Sequence, residues 1–506
     1  MTYTFTNTVS KLLRVAILAQ VCCQVCIQAE ETDQWPGFLG PNGSAMAEDA
    51  SIPTEFGPGK NELWHIDTPE GHSSPCIWGD KLFLTGFRDR SLVMLAVDRR
   101  DGSALWEKTV QAERQESFDH IAACPAMPTP CSDGERVYFS FGAYGLQAYT
   151  LGGDLVWETR LPMPKTMFGI GNSPVLVGDA LILVRDGAED PCILCLNAED
   201  GSIRWKRPRS GFRSNYSTPF VWRNKLRTEL IVAGTNNLSS LDPKTGQLIW
   251  ELTDTCVFPC TSPAADENTL LFAAWTTGNV EGKARMDANF PEGMAFTDQE
   301  VKDPKAFLAR FDENGDEKVQ QTELPASRAK DSFNFIDRNR DGAWSLEEYT
   351  PFHSRSAASG RNVMVAIKPG GTGAINETHV VWEKERFKGL PYVPSPLLSH
   401  GRVHLVKDGG IVSCLDAATG NVHYMKRNRV SGEYYASPMK VGDKILVTAA
   451  NGTITVIGDG EAFEILAKNV FDESIFATPA FVNDTLYIRS KKHLWAFAEK
   501  RSGDDS

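Results

Sequence analysis

Two twelve-residue stretches concentrate hard oxygen donors: Asp312-Glu-Asn-Gly-Asp-Glu-Lys-Val-Gln-Gln-Thr-Glu323 and Asp337-Arg-Asn-Arg-Asp-Gly-Ala-Trp-Ser-Leu-Glu-Glu348. In each, alternate residues carry a side-chain oxygen: Asp312, Asn314 and Asp316 in the first, Asp337, Asn339 and Asp341 in the second, with Glu323 and Glu348 closing them. A calcium ion takes about six to eight oxygen ligands at about 2.3 to 2.6 Å, and a tight loop can surround one ion with alternate residues. No other ligand set is spelled out so fully along the chain.

The two stretches resemble EF-hand calcium loops. The resemblance implies that Lys318 and Ala343 supply backbone carbonyls, that Gln320 and Ser345 act through water, and that Glu323 and Glu348 bind through both carboxylate oxygens. Gly342 fills the sixth position of the second loop, where the chain turns sharply. The first loop has Glu317 there, at a cost of about 1 kcal/mol for a left-handed non-glycine residue, so the first site is expected to be the weaker. Apolar residues at helical spacing, Ala306–Phe311 and Ser332–Ile336, predict helices entering each loop, and Val319 and Trp344 are placed to pair across a short strand. Only 13 residues separate the loops. This compact pair suits a static extracytoplasmic site of affinity about 10⁻⁴ to 10⁻³ M.

The frame that must hold these loops is repetitive. A Ser/Thr-Pro doublet recurs at Pro75, Pro130, Pro174, Pro219, Pro263, Pro396, Pro438 and Pro479, evenly except between Pro263 and Pro396. A period of about 40 to 50 residues marks propeller blades or similar arrays. Each unit reads as short strands separated by turn residues, as in Gly178-Asp179 and Asp200-Gly201, and ends on an aromatic residue: Trp106, Trp157, Trp205, Trp250, Trp382 and Tyr424. These rings suit packing between neighbouring blades. The eighth unit stops at Phe497 without its outer strand, whereas Glu62–Ile66 precedes the first repeat as an orphan strand. The expected fold is therefore all-β: an eight-bladed β-propeller of four-stranded antiparallel blades, closed by an N-terminal strand, with a small helical insertion in blade five.

The turn Leu241-Asp-Pro-Lys-Thr-Gly-Gln-Leu-Ile-Trp250, with its preceding Ser/Thr-Pro strand pair, resembles the blade motif of pyrroloquinoline-quinone-like propellers, and Trp35-Pro-Gly-Phe-Leu-Gly-Pro41 is similar to the opening of secreted bacterial members. The paired Gly-His and Trp-Asp signature of WD40 repeats is absent. The resemblance implies one of two functions: a binding or scaffolding module, or a PQQ-dependent dehydrogenase oxidising an alcohol or sugar. For the second, the family's adjacent-cysteine disulfide has no counterpart beyond Cys22-Cys23, and PQQ is supported by no specific residue. The sequence holds no His-Glu-x-x-His motif, and Gly370–Gly373 lacks the following helix that phosphate binding needs. His400 and His404 read as surface and packing residues.

Residues 1–29 read as a cleaved signal peptide, with Lys11 and Arg14 before an apolar run from Val15 to Ile27. Its removal moves the formal charge from −13 to −15, which disfavours nucleic acid and anionic lipid. The expected organisation is propeller over 30–279 and 356–498, the EF-hand pair over 280–355, and a disordered tail over 499–506. An exported bacterial protein of the periplasm or exterior is implied, with partners among other exported or envelope proteins and no transmembrane segment in the mature chain. Cys192 and Cys195 lie three apart on a strand, hence on opposite faces, and read as buried structural thiols.

Overall fold

A computed structural model describes residues 33–112, 122–163, 166, 168–187, 191–209, 215–276, 286–287, 290–291, 293–331, 333–337, 339–357 and 360–499. The expected signal peptide lies outside them, as does the expected tail apart from Glu499. Eight small antiparallel sheets follow one another along the chain. Blade two shows the plan, with strands Cys131–Ser132, Arg136–Phe141, Gly145–Thr150 and Leu155–Arg160 paired in sequence order. Blade eight takes its outer strand from the other end of the chain: Glu62–Asp67 pairs antiparallel with His493–Phe497, as the orphan strand predicts.

The core lies in layers between blades. Cys76 and Phe83 of blade one meet Val137 and Phe139 of blade two, and Leu183 and Leu194 of blade three meet Tyr138 and Leu146 of blade two. The terminal aromatic of each unit explains the repeat chemistry. Trp157 lies over the turn of blade three, where Gly201 has φ +72° and a β-carbon would sit 2.7 Å from the indole. The left-handed turn and the flat ring both require glycine there. The indole N–H completes the contact: Trp106, Trp157, Trp205 and Trp382 donate to the carbonyls of Leu151, Ala198, Pro243 and Ala417, each in the following blade, at 2.9 to 3.1 Å.

The doublet serine and threonine hydroxyls line the axis. The backbone N–H of Ser74 donates to Thr129 Oγ1, that of Thr129 to Ser173 Oγ, and that of Ser173 to Thr218 Oγ1, at 2.9 to 3.0 Å. The same link joins Ser262 to Ser395, Ser395 to Ser437 and Ser437 to Thr478. A buried amide that cannot reach a ladder partner is thereby satisfied by the next blade's hydroxyl, which explains why Ser or Thr recurs at this place.

Before blade one, the chain crosses one end of the axis. Gln34–Trp35 adds to the inner strand of blade one, and Met46–Ala47 adds in parallel to that of blade seven. Between them Leu39, Asn42 and Ala45 take left-handed backbone angles. At the opposite end lie the connections between blades together with the turns between second and third strands, because antiparallel order returns both there. The insertion belongs to that end. In blade five Leu270–Ala274 pairs directly with Val363–Ile367, so the whole insertion occupies one hairpin turn. It carries helices α1 (Asp298–Lys302), α2 (Pro304–Phe311), α3 (Arg328–Asp331), α4 (Phe333–Ile336) and α5 (Leu346–Ala357). No helix among the described residues is long and apolar enough to cross a membrane.

Candidate functional site

The insertion builds its own core. Phe307, Leu308 and Phe311 on one face of α2 pack with Phe333, Ile336, Trp344 and Tyr349, and Trp344 stacks on Phe333 at 4.9 Å. Thr297 and Glu300 form a reciprocal cap at the start of α1, and Asp303 caps α2 by accepting from Lys305 N–H. Between the loops Val319 pairs with Trp344 and Gln320 with Ala343 in a two-residue antiparallel strand, as expected from their positions.

Each loop folds its oxygens onto its own amides. Asp312 accepts from Gly315 and Glu317, Asp316 from Lys318, and Glu323 from Glu313 and Gln320, at 2.7 to 3.0 Å. In the second loop Asp337 accepts from Gly342, Asn339 from Asp341, Asp341 from Ala343, and Glu348 from Ser345 and Asn339, at 2.8 to 3.2 Å. The Asn314 and Gln320 side chains join each other at 2.8 Å. The loops thus bring each set of predicted ligands into one turn, yet among the described residues no three acidic, histidine or cysteine side chains gather closely enough to hold a metal ion.

The backbone modifies the expectation of unequal loops. Glu317 has φ 61° as anticipated, but Arg340 in the second loop has φ 59°, at the position where the first loop has Gly315 with φ 76°. Gly342 has φ 87°. Each loop therefore turns left-handed at its fourth and sixth residues, and each fills one of the two with glycine. The backbone penalty is matched, so Glu317 alone gives no reason for a weaker first site.

A second candidate region appears where the inter-blade loops meet at the axis. The residues three before the repeat prolines are His72, Met127, Gly171, Tyr216, Cys260, Val393, Tyr435 and Phe476, and all are half-buried. His72 stacks on Phe476 at 4.3 Å, Phe476 meets Tyr435 at 5.2 Å, and Trp275 meets Tyr392 edge-on at 5.6 Å. The Lys407 ammonium rests 4.6 Å above the Trp275 ring. Asp408 accepts from the Tyr434 N–H at 2.8 Å, and the Tyr435 hydroxyl donates to Glu433 at 2.8 Å.

Burial drives these groups toward neutrality. It pushes the Asp408 carboxyl and the Tyr435 hydroxyl up, the Tyr392 hydroxyl up to about 12, and the Lys407 ammonium down. His72 falls to about 4 through burial, reinforced by the Arg489 guanidinium. Arg489, itself lowered to about 10 by burial, donates to Ser73 and to the Pro69 carbonyl. These burial-shifted groups form a second candidate region among the inter-blade connections. Sequence reading missed it because the residues differ in type from blade to blade; their fixed offset from the prolines is the one pattern that could have found them.

At the other end of the axis, the N-terminal crossing and the inner strands enclose a half-open cavity of 1010 Å³. Phe38, Leu39 and Phe220 line it beside Glu48, Asp484 and Arg223. His404, expected to be a packing residue, is fully buried in blade six and hydrogen-bonds Asp459 at 3.2 Å, while His400 is exposed. Asp459 also accepts from Ser399 and Arg402 at 2.9 Å. Cys192 and Cys195 are buried in different inter-blade layers, on opposite faces of their strand as predicted.

A family model described as outer membrane protein assembly factor BamB matches residues 90–255. Among solved structures, BamB from Moraxella catarrhalis is 12% identical with a TM-score of 0.52, covering 87% of this chain and 99% of its own. A europium-containing methanol dehydrogenase is 11% identical with a TM-score of 0.51, covering 93% and 99% respectively. The quinohemoprotein alcohol dehydrogenase from Comamonas testosteroni is 12% identical with a TM-score of 0.53, covering 94% and 82%. At these identities the likeness is one of fold. A search of curated proteins finds no match.

Proposed function

We propose that this chain, an eight-bladed propeller of the pyrroloquinoline-quinone-like type, is an exported binding or scaffolding module whose insertion holds calcium in its two acidic loops. The observation that carries the calcium reading is the matched pair of loops: the same left-handed positions, the same closing glutamate folded over the turn, and one strand joining them. Asp312, Asn314, Asp316, Glu323, Asp337, Asn339, Asp341 and Glu348, with the Lys318 and Ala343 carbonyls, form all-oxygen donor sets suited to a hard divalent ion. Calcium would fix the insertion rather than the propeller, since every candidate ligand lies in the insertion.

For the scaffold, the aromatic face at the inter-blade end is the docking region, and the partners are other exported or envelope proteins. The alternative is a PQQ-dependent dehydrogenase oxidising an alcohol or sugar. A carboxylate-bearing quinone and its cation need charged partners. On that face the Lys407 ammonium lies over the Trp275 ring, Asp408 accepts the Tyr434 N–H, and Arg489 donates to Ser73 and to the Pro69 carbonyl. No specific residue among those described on that face supports the quinone.

The test is calorimetric titration with calcium chloride of the protein and of Glu348→Gln. Loss of most binding at one of two sites is expected; an unchanged titration would refute the ligand assignment. Dye-linked oxidation of an alcohol or sugar after adding the quinone and calcium would instead favour the enzyme.

A further inference from the structure

We infer that Lys318 is a tethered counter-cation of the second loop, whose ammonium calcium must displace in order to bind there; this rests on the calcium reading above. Lys318 belongs to the first loop, yet its Nζ lies 2.9 Å from Asp341 Oδ2, a ligand of the second. The other Asp341 oxygen accepts the Ala343 N–H at 3.0 Å. Both oxygens are therefore engaged, one by the loop's own amide and the other by a charge from the neighbouring loop. Asp316 and Glu348 act electrostatically on the same ammonium, so it is shared among carboxylates of both loops.

The arrangement follows from the pairing of the loops. The Val319–Trp344 strand sets them side by side, and Lys318 immediately precedes Val319. A backbone carbonyl is all that the seventh loop position contributes to an ion, which leaves its side chain free to cross over. A lysine there offers a compact, flexible point charge with three donors. The consequence is opposite in sign to that of a residue that merely positions Asp341: removing the ammonium takes away a competing positive charge, and calcium binding at the second loop tightens. The pair is part-exposed, so solvent and salt screen it, and the gain is roughly three- to tenfold.

The experiment titrates calcium chloride calorimetrically into the full chain carrying Glu323→Gln, so that the second loop dominates, with and without Lys318→Met, at low and high potassium chloride. Lys318→Met is expected to tighten binding three- to tenfold at low salt and to lose part of that gain at high salt, while Lys318→Arg retains the parent affinity. In EDTA, Lys318→Met should lower the melting temperature of the helical signal, because Asp341 loses its partner. Calcium binding that is unchanged or weaker in Lys318→Met overturns the inference while leaving the calcium reading intact. Absence of calcium uptake by the unsubstituted chain overturns both.

Discussion

Substituting Gly102 by alanine tests whether the ring is closed at its seam by the same contact that joins ordinary blades. Gly102 has φ +77°, and a β-carbon there would lie 2.8 Å from Trp64 Cε3 and 2.9 Å from Ile66 Cγ2, both on the strand that completes blade eight. The left-handed backbone costs alanine about 1 to 2 kcal/mol. Approaches under 3.0 Å to a packed ring force a shift costing about 1 to 3 kcal/mol more. Gly102→Ala should therefore destabilise by about 2 to 5 kcal/mol, a large share of the roughly 5 to 15 kcal/mol typical of folded proteins. Gly178→Ala separates the two contributions, since Gly178 has φ +59° with open space around it; only the backbone cost should appear. Gly201→Ala, against Trp157 at 2.7 Å, reports an ordinary blade junction and should match Gly102→Ala. Urea unfolding followed by tryptophan fluorescence, at constant m-value, measures all three. A Gly102→Ala loss no greater than that of Gly178→Ala would refute docking of Trp64 and with it the closure of the ring.

The seam also differs from the junctions made by Trp106, Trp157, Trp205 and Trp382. Trp64 Nε1 is buried without a hydrogen-bond partner among the described residues, while the corresponding carbonyl, that of Arg99, accepts the Tyr487 hydroxyl at 3.1 Å. Trp157→Phe, which loses the bond to Ala198, should cost about 1 kcal/mol more than Trp64→Phe by urea unfolding; equal losses would contradict the bonding pattern. His72 binds a proton in the unfolded chain near its ordinary 6.5 but in the folded protein only at about 4. Its contribution is therefore complete above pH 6.5 and lost as the pH falls toward 4, by about 3 kcal/mol at most. His72→Phe should flatten the stability profile in that window, and an identical profile would show that another group governs it. Ser437→Ala removes the hydroxyl that satisfies the Ser395 amide and should destabilise by about 1 to 3 kcal/mol in the same assay; a neutral result would deny the axial hydroxyls a structural role.

The repeat, the outer-strand aromatics and the donated strand at Glu62–Asp67 were legible because each depends on residue types at fixed local spacing, such as the glycine under each indole. The loop pairing was legible for the same reason. The axial hydroxyl links were not, because donor and acceptor lie in different blades, as with Ser262 and Ser395. Nor was the left-handed angle at Arg340, since a non-glycine residue gives no sign of it. The aromatic face escaped notice because His72, Tyr435 and Phe476 become neighbours only once the ring has closed.

The pairing of Ala274 with Val363 at the tip of the blade-five hairpin has an evolutionary consequence. Both ends of the helical unit leave the sheet at the same rung of one ladder, so the propeller registers it as a turn of unusual length. Loop-closure entropy rises only slowly with length, by about 0.6 kcal/mol per doubling, so a lineage could gain or discard such a cassette without re-registering a strand. The helical unit and the propeller can then be inherited separately, each on its own schedule.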